Sequence, residues 1–343
     1  MLSILFRNNP RAVAIVGCLV VFNILVWLLA WGLFHGHAAL MATSLLAWCY
    51  GLRHAVDADH IAAIDNVTRK MMQEGKTPLG VGAWFSLGHS SIVILASLAL
   101  AATAAALQDD MAWFHEVGGV IGTSVSAGFL LLMALVNLVI LRGVWVRFQQ
   151  FKQGRLEALA QADAVPAAGV MGWIFRATFR LVNKSWHMYL VGLLFGLGFD
   201  TATEIGVLGI SAAGASQGMS MWSIMIFPAL FTCGMALVDT LDNVLMVGAY
   251  GWAFRKPQRK LYYNLTITAT SVVVAVFIGG MEALGLLADK LDLHTGWWGM
   301  VGAFNEQLGN AGFYVVTLFV ACWVISLCNY RWKNYDALNS PIA

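Results

Sequence analysis

The stretch "GLRHAVDADHIAAIDN", Gly51 to Asn66, puts Arg53, His54, Asp57, Asp59, His60 and Asp65 inside an otherwise apolar part of the chain. A charged side chain at the centre of a bilayer costs about 2.5–3.5 kcal/mol on insertion scales. Either this segment lies outside a membrane, or its ionisable groups have a purpose there. The rest of the chain decides between the two. Of 343 residues, 59% are hydrophobic and only 11% are charged, and the mean hydropathy is +0.73. A soluble domain is about 25% charged. The apolar residues come in blocks of the ~20 residues that cross about 30 Å of hydrocarbon. The composition predicts an all-α, polytopic integral membrane protein, and a net charge of +2 offers no basic surface for nucleic acid.

Eight spans are expected, at 12–34, 42–66, 79–106, 117–141, 187–211, 220–252, 261–287 and 311–330. Together they read as one transmembrane domain over residues 1–343. The quoted stretch falls in the second span. The first span, preceded by Arg7 and Arg11, is too long for a signal-peptide core and is read as retained. All but Arg53 and Lys290 of the 20 lysines and arginines fall at the ends or in the loops of one side. The positive-inside rule makes that side cytoplasmic and places both termini there, in agreement with an even span count. The longest connection on that side, 143–184, mixes arginines with spaced apolar residues ("GVMGWIFRATFRL") and reads as a basic connector lying on the inner leaflet. Cys18, Cys49, Cys233, Cys322 and Cys328 stand singly in apolar runs and read as small hydrophobes rather than a disulfide or zinc framework.

Eight carboxylates lie in the expected spans: Asp57, Asp59, Asp65, Asp200, Glu204, Asp239, Asp242 and Glu282. His54, His60 and His89 accompany them, with Arg53 as the one fixed positive charge in the spans. Seven acids are thus left to protonate, reach water or share a cation. At about 100° per residue, His54, Asp57 and His60 share one face of an unbroken helix, while Asp59 points nearly opposite. Asp59 therefore implies either a distorted helix or a partner role toward a neighbouring helix. In "GFDTATEIG", Asp200 and Glu204 are i and i+4; in "LVDTLDN", Asp239 and Asp242 are i and i+3; "SLGHSS" carries His89. Four spans thus each present one polar patch. Imidazole with carboxylate suits a divalent first-row transition ion, whereas calcium or magnesium would favour all-oxygen sites. Asp65 is left open between an exit path and a helix-end role, and Glu282 reads as interfacial. His35 and His37 read as a polar outer loop; His115, His187 and His294 are assigned no role.

At these residues the sequence resembles the nickel/cobalt transporter (NiCoT) family. Four segments carry the resemblance in order: "RHAVDADHI" (53–61), "LGHSS" (87–91), "LGFDTATEIG" (197–206) and "GMALVDTLDN" (234–243). The resemblance implies high-affinity uptake of Ni2+, Co2+ or both across a bacterial cytoplasmic (inner) membrane, with His54, Asp57, Asp59 and His60 essential. His89, Asp200, Glu204, Asp239 and Asp242 are the further metal candidates it carries. It implies no cofactor; the ion is cargo.

The chain has no phosphate-binding loop of the G-x-x-x-x-G-K-[ST] type, so a secondary carrier driven by the membrane potential is expected, with no ATPase subunit required. Whether protons accompany the ion is left open, as are oligomeric state and the choice between nickel and cobalt. A lipid hydroxylase or desaturase would need histidine-rich boxes near the cytosolic surface, and a channel or sensor would differ in flux. An inverted repeat is expected to relate spans two and three to spans five and six, because "GLRHAVDADHI" and "GLGFDTATEI" start alike and lie three spans apart.

Overall fold

The computed structural model describes residues 9–103, 108–153, 182–197, 202–253, 257–293 and 295–332. Among them the chain is helical throughout, with no strand. The helices are α1 (Pro10–Phe34), α2 (Ala38–His54), α3 (Ala58–Gln73), α4 (Val81–Thr103), α5 (Gln108–Lys152), α6 (His187–Phe195), α7 (Ala202–Ser216), α8 (Met221–Ile224), α9 (Ile226–Ala253), α10 (Pro257–Lys290), α11 (Trp297–Glu306) and α12 (Leu308–Trp332).

Among the described residues, six segments are long and apolar enough to cross a membrane: Pro10–Phe34, Val81–Ala102, Thr123–Lys152, Met221–Gly251, Leu261–Lys290 and Gly312–Trp332. They coincide with six of the eight expected spans. The remaining two, 42–66 and 187–211, are each divided between two shorter helices. Span two becomes α2 and α3, with the break at Ala55–Asp57; span five becomes α6 and α7, with the chain leaving helix after Phe195. None of these four helices is longer than the 17 residues of α2, short of a continuous span.

Two expected boundaries move. Span two was expected to end at residue 66, with Arg69 and Lys70 in a cytoplasmic loop. Instead α3 runs on to Gln73, and every residue from His60 to Met71 is buried. Lys70 reaches its helix end by donating from Nζ to the Val182 carbonyl at 2.8 Å. Span four was expected to end at 141, but α5 continues through Arg142 and Arg147 to Lys152. That continuation contains no proline, and Phe148 and Phe151 pack into a cluster with Tyr262 and Tyr330. The first part of the 143–184 connector is therefore helix; residues 154–181 lie outside the described ones.

The bundle is organised around α3, which packs against α4, α5, α9, α10 and α12. The apolar core surrounds it: Ile61, Ile64 and Val67 of α3 meet Phe85, Leu130, Met188, Phe195 and Ile278. Helices α1 and α12 instead expose large apolar side chains such as Leu28, Leu29, Phe313 and Ile325, as lipid-facing helices do. The inner helices approach to backbone contact at glycines. A Cβ on Gly88 would strike the Tyr189 carbonyl, and one on Gly192 would strike the Phe85 carbonyl, so α4 and α6 interlock reciprocally. A Cβ on Gly82 would meet the Asp239 carbonyl of α9. Small residues at such crossings are how membrane helices bring polar side chains into a shared centre.

Candidate metal centre

The break in span two builds the site. Helix α2 ends at His54; the amide of Val56 donates to the Arg53 carbonyl at 3.2 Å and that of Asp57 to the His54 carbonyl at 3.0 Å, so the chain tightens and turns out of the helix. Asp57 then adopts extended backbone (ψ 147°) as the N-cap of α3, and its carbonyl accepts the Ile61 amide at 3.1 Å. An N-cap aspartate ordinarily accepts a hydrogen bond from the first turn of its helix. Asp57 makes no such side-chain cap. Its carboxylate instead faces the imidazole of His54, with Oδ2 at 3.5 Å from Nδ1, and Arg53 Nη1 lies 3.7 Å from Oδ1. Asp59 takes the local role, with Oδ1 accepting the His60 amide at 2.8 Å. The sequence left two explanations for Asp59, and the break in the helix is the one found.

Three imidazoles meet at this break. His54, His60 and His89 are all buried, with one ligand nitrogen from each lying within 4.8 Å of the others. His54 Nε2 and His89 Nε2 are 2.9 Å apart, and His89 Nε2 is 2.8 Å from Glu204 Oε1 in the first turn of α7. Glu204 Oε1 is also 3.9 Å from His54 Nε2. On the far side, His60 Nδ1 stands 3.5 Å from Asp239 Oδ2 near the middle of α9. Phe85 and Phe231 close the cluster with edge-on and tilted ring contacts to His60 and His54.

Several polar atoms here are buried without a hydrogen-bond partner: both oxygens of Asp57, both ring nitrogens of His60, and His89 Nδ1. Buried polar groups in proteins are almost always paired. A cluster of unpaired imidazole nitrogens and carboxylate oxygens, all ligand atoms and none of them apolar, is complementary to a cation. The donor set, three imidazoles with Asp57, Glu204 and Asp239 around them, fits a divalent first-row transition ion. The C-terminus of α2, the negative end of its dipole, ends at the cluster and favours a cation, while Asp57 offsets the positive N-terminus of α3.

Of the residues singled out in the sequence, His54, Asp57, His60, His89, Glu204 and Asp239 are brought together. Asp59 is one residue away but turned to the backbone. Asp242 lies one turn further along α9, its Oδ2 buried without a hydrogen-bond partner. Asp200 lies outside the described residues. Two contributors went unnoticed. Thr203 Oγ1 is 3.1 Å from His54 Nδ1, and Ser86 Oγ donates to Asp239 Oδ2 at 2.6 Å and so orients it toward His60. Their signal was position: Thr203 precedes Glu204, and Ser86 is one turn before His89.

Comparison with known proteins gives this centre a context. The sequence profile of the NicO family, described as high-affinity nickel-transport protein, matches residues 40–329. A high-affinity nickel transport protein of Cupriavidus necator is 53% identical over 331 residues, covering 96% of this chain and 94% of its own. The nickel transporter NixA of Staphylococcus aureus is 45% identical, covering 87% of each chain. The cobalt transport protein NhlF of Rhodococcus rhodochrous is 35% identical, covering 93% of this chain and 92% of its own. No solved structure gives a significant match.

Proposed function

We propose that this chain, which belongs to the NicO family of high-affinity nickel-transport proteins, carries Ni2+, Co2+ or both inward across the bacterial cytoplasmic membrane by way of the histidine centre. Its relatives are transporters, not enzymes. The observation that carries the reading is the trio His54, His60 and His89, buried within 4.8 Å of one another and flanked by Asp57, whose two carboxylate oxygens are buried without a hydrogen-bond partner.

The ion enters from outside, sheds water, and exchanges it for imidazole nitrogens and the carboxylates of Asp57, Glu204 and Asp239. Asp242, one turn beyond Asp239 on α9, is a further acid for the ion, Asp200 remains a candidate from its sequence motif alone, and Asp59 fixes the first turn of α3 through the His60 amide. Arg53 offsets only one carboxylate, so the empty centre is under-neutralised and a dication relieves it. The distribution of lysine and arginine supports cytoplasmic termini, with 143–184 as a basic connector of one transmembrane domain. An inside-negative potential draws a divalent ion inward by about 4.6 kcal/mol per 100 mV, twice the single-charge value. Helix breaks in both span two and span five, each beside an acid of the centre (Asp57 and Glu204), support the expected inverted repeat: discontinuous helices at repeat interfaces are where carriers place ion sites.

The test is uptake of radioactive Ni2+ by the purified protein in liposomes under an imposed inside-negative potential, with Co2+, Zn2+ and Mn2+ as competitors. Saturable uptake that Co2+ suppresses is expected, and it is lost in His54→Ala and His60→Ala proteins that insert normally. Absence of potential-driven flux in the unaltered protein refutes the carrier reading, and non-saturating flux makes it a channel.

A further inference from the structure

A second polar cluster lies further along α3 and takes no part in the histidine centre. Asp65 is fully buried, and both of its carboxylate oxygens are occupied: Oδ1 accepts the hydroxyl of Tyr250 on α9, and Oδ2 accepts Ser271 Oγ of α10 at 2.6 Å. Arg69, one turn later, is also fully buried, with Nε at 3.8 Å from Asp65 Oδ2 and Nη2 donating to Asn66 Oδ1 at 3.0 Å. The Asn66 amide oxygen also receives Asn137 of α5. The α3–α9 seam between the two clusters stays polar: His60 faces Asp239, and Asn243 donates to Thr68 Oγ1 at 2.7 Å.

We propose that Asp65 and Arg69 form the inner gate of the transport path: a buried ion pair that holds the half-helix α3 against α9 and α10, and bars a dication from the cytoplasm until it opens. The proposal rests on the inward-carrier reading above. Its chemistry differs from that of the metal centre. Asp65 has no imidazole beside it and no oxygen to spare, so it is not a ligand here. Arg69 is a permanent cation, which repels a doubly positive cargo. The ion leaving His60 and Asp239 would travel along α3, and Arg69 lies nine residues beyond His60, about 13 Å at 1.5 Å per residue.

Structural use alone accounts poorly for this pair. Buried ion pairs are often replaceable by apolar residues with no loss of stability, and every neighbouring position on α3, from Ile61 to Met71, is already enclosed. Moreover, Arg69 is under-satisfied: its Nε and Nη1 are buried without hydrogen-bond partners. So is Asp242 Oδ2, on the helix that carries Tyr250. A guanidinium that keeps donors unused while buried is held by few bonds, and a small displacement is enough to release it. Asp65 itself joins three helices through single side-chain contacts, so a small displacement of α3 breaks all of them together.

The experiment uses the full chain with its five cysteines replaced and Thr68→Cys introduced as a reporter, since Thr68 is fully buried on the seam beside the pair. A membrane-impermeant maleimide is applied from the cytoplasmic face. Losing one hydrogen bond to a charged group shifts the closed–open balance about tenfold. Labelling is expected to accelerate by about that factor in Tyr250→Phe, which removes only the hydroxyl held by Asp65, and by at least as much in Arg69→Gln. Equilibrium Ni2+ binding in detergent should keep its affinity, because no ligand has changed. Unchanged labelling in a folded, metal-binding variant overturns the gate. So does lost Ni2+ affinity in either variant, which would place the pair in the metal site. If Arg69→Gln does not fold, Tyr250→Phe decides alone. Wild-type flux in the same vesicles separates the two readings: no flux defeats the carrier, whereas flux with unaltered labelling defeats only the gate.

Discussion

Replacing Glu204 by glutamine should push metal affinity and apo stability in different directions. Glu204 Oε1 lies 2.8 Å from His89 Nε2 and 3.9 Å from His54 Nε2, and its side chain is buried. Glutamine keeps the shape and an oxygen acceptor but removes the charge. For the ion the loss is large. Two unit charges at about 4 Å interact by about 4 kcal/mol at an effective dielectric of 20, and a dication doubles that. The desolvation of a buried carboxylate offsets several kcal/mol of it. A net loss of about 2–3 kcal/mol is a Kd raised roughly 100-fold. For the empty protein the sign differs, because the centre holds more carboxylate than Arg53 can offset. Neutralising one acid should therefore leave apo stability unchanged or raise it. Thermal unfolding in detergent with and without Ni2+ reads both effects. At a Ni2+ concentration of about 100 times the wild-type Kd, ligand stabilisation is about 2.7 kcal/mol in wild type. In the variant it falls to about 0.4 kcal/mol, since the ion is then only at its Kd. If the apo variant is instead less stable than wild type by more than about 1 kcal/mol, Glu204 is a structural partner of His89 and the reasoning fails.

Ser86→Ala should raise the Ni2+ Kd by about 10–100-fold while leaving insertion intact, since Ser86 orients Asp239 rather than touching the ion; isothermal titration checks it. Uptake should fall as external pH falls, because imidazole binds metal only when neutral and carboxylate only when ionised. The effect is protonation competing with cargo, so raising Ni2+ should restore the rate at the lower pH in liposome assays. Gly88→Leu should prevent the α4–α6 contact and lower both thermal stability and uptake, because its Cβ meets the Tyr189 carbonyl. Gly17→Ala on α1, where a Cβ meets nothing within 4 Å, should be neutral in the same measurements.

Much of the fold was legible because hydropathy is a strong signal over the length of a span. Apolar runs such as those of α1, α4 and α10 announce themselves, and glycine and proline are not needed to locate them. The break at Ala55–Asp57 was less legible. "HAVDADH" contains neither glycine nor proline, and Asp57 acts as an N-cap only because the surrounding bundle accommodates the turn, with Gly312 of α12 set against the Val56 carbonyl. The misplacement of Asp59 on the far side of an ideal helix was the one sign of it in the sequence. Arg69 and Lys70 misled for a related reason. A basic pair after an apolar run reads as the cytoplasmic end of a span, yet both are buried on a helix that continues to Gln73. Local charge marks the side of the membrane, but it does not reveal which basic groups the tertiary structure encloses. Likewise Thr203 and Ser86 became meaningful only once α2, α4, α7 and α9 were placed around one point.

The two breaks and the unpaired atoms point to a common cause. A continuous helix satisfies its own backbone and would present His54 and Asp57 on a single stripe, leaving them to be paired across one neighbour. Dividing span two at Asp57 instead lets α2 and α3 aim His54 and His60 at each other, with ring centroids 4.7 Å apart, while His89 of α4 forms the third corner of a triangle at 4.7 and 4.8 Å from them. The same division frees the Asp57 carboxylate from capping, so that the acid closest to Arg53 also borders the imidazoles. Each of these choices is unfavourable for a protein that only has to fold: a lost stretch of helix, an N-cap aspartate that makes no side-chain cap, buried oxygens and nitrogens without hydrogen-bond partners. Each becomes favourable once a dication occupies the space, and unfavourable again when it leaves. On the proposed reading the ion's own charge offsets these costs only while it is bound, as a site that is filled and emptied in turn requires.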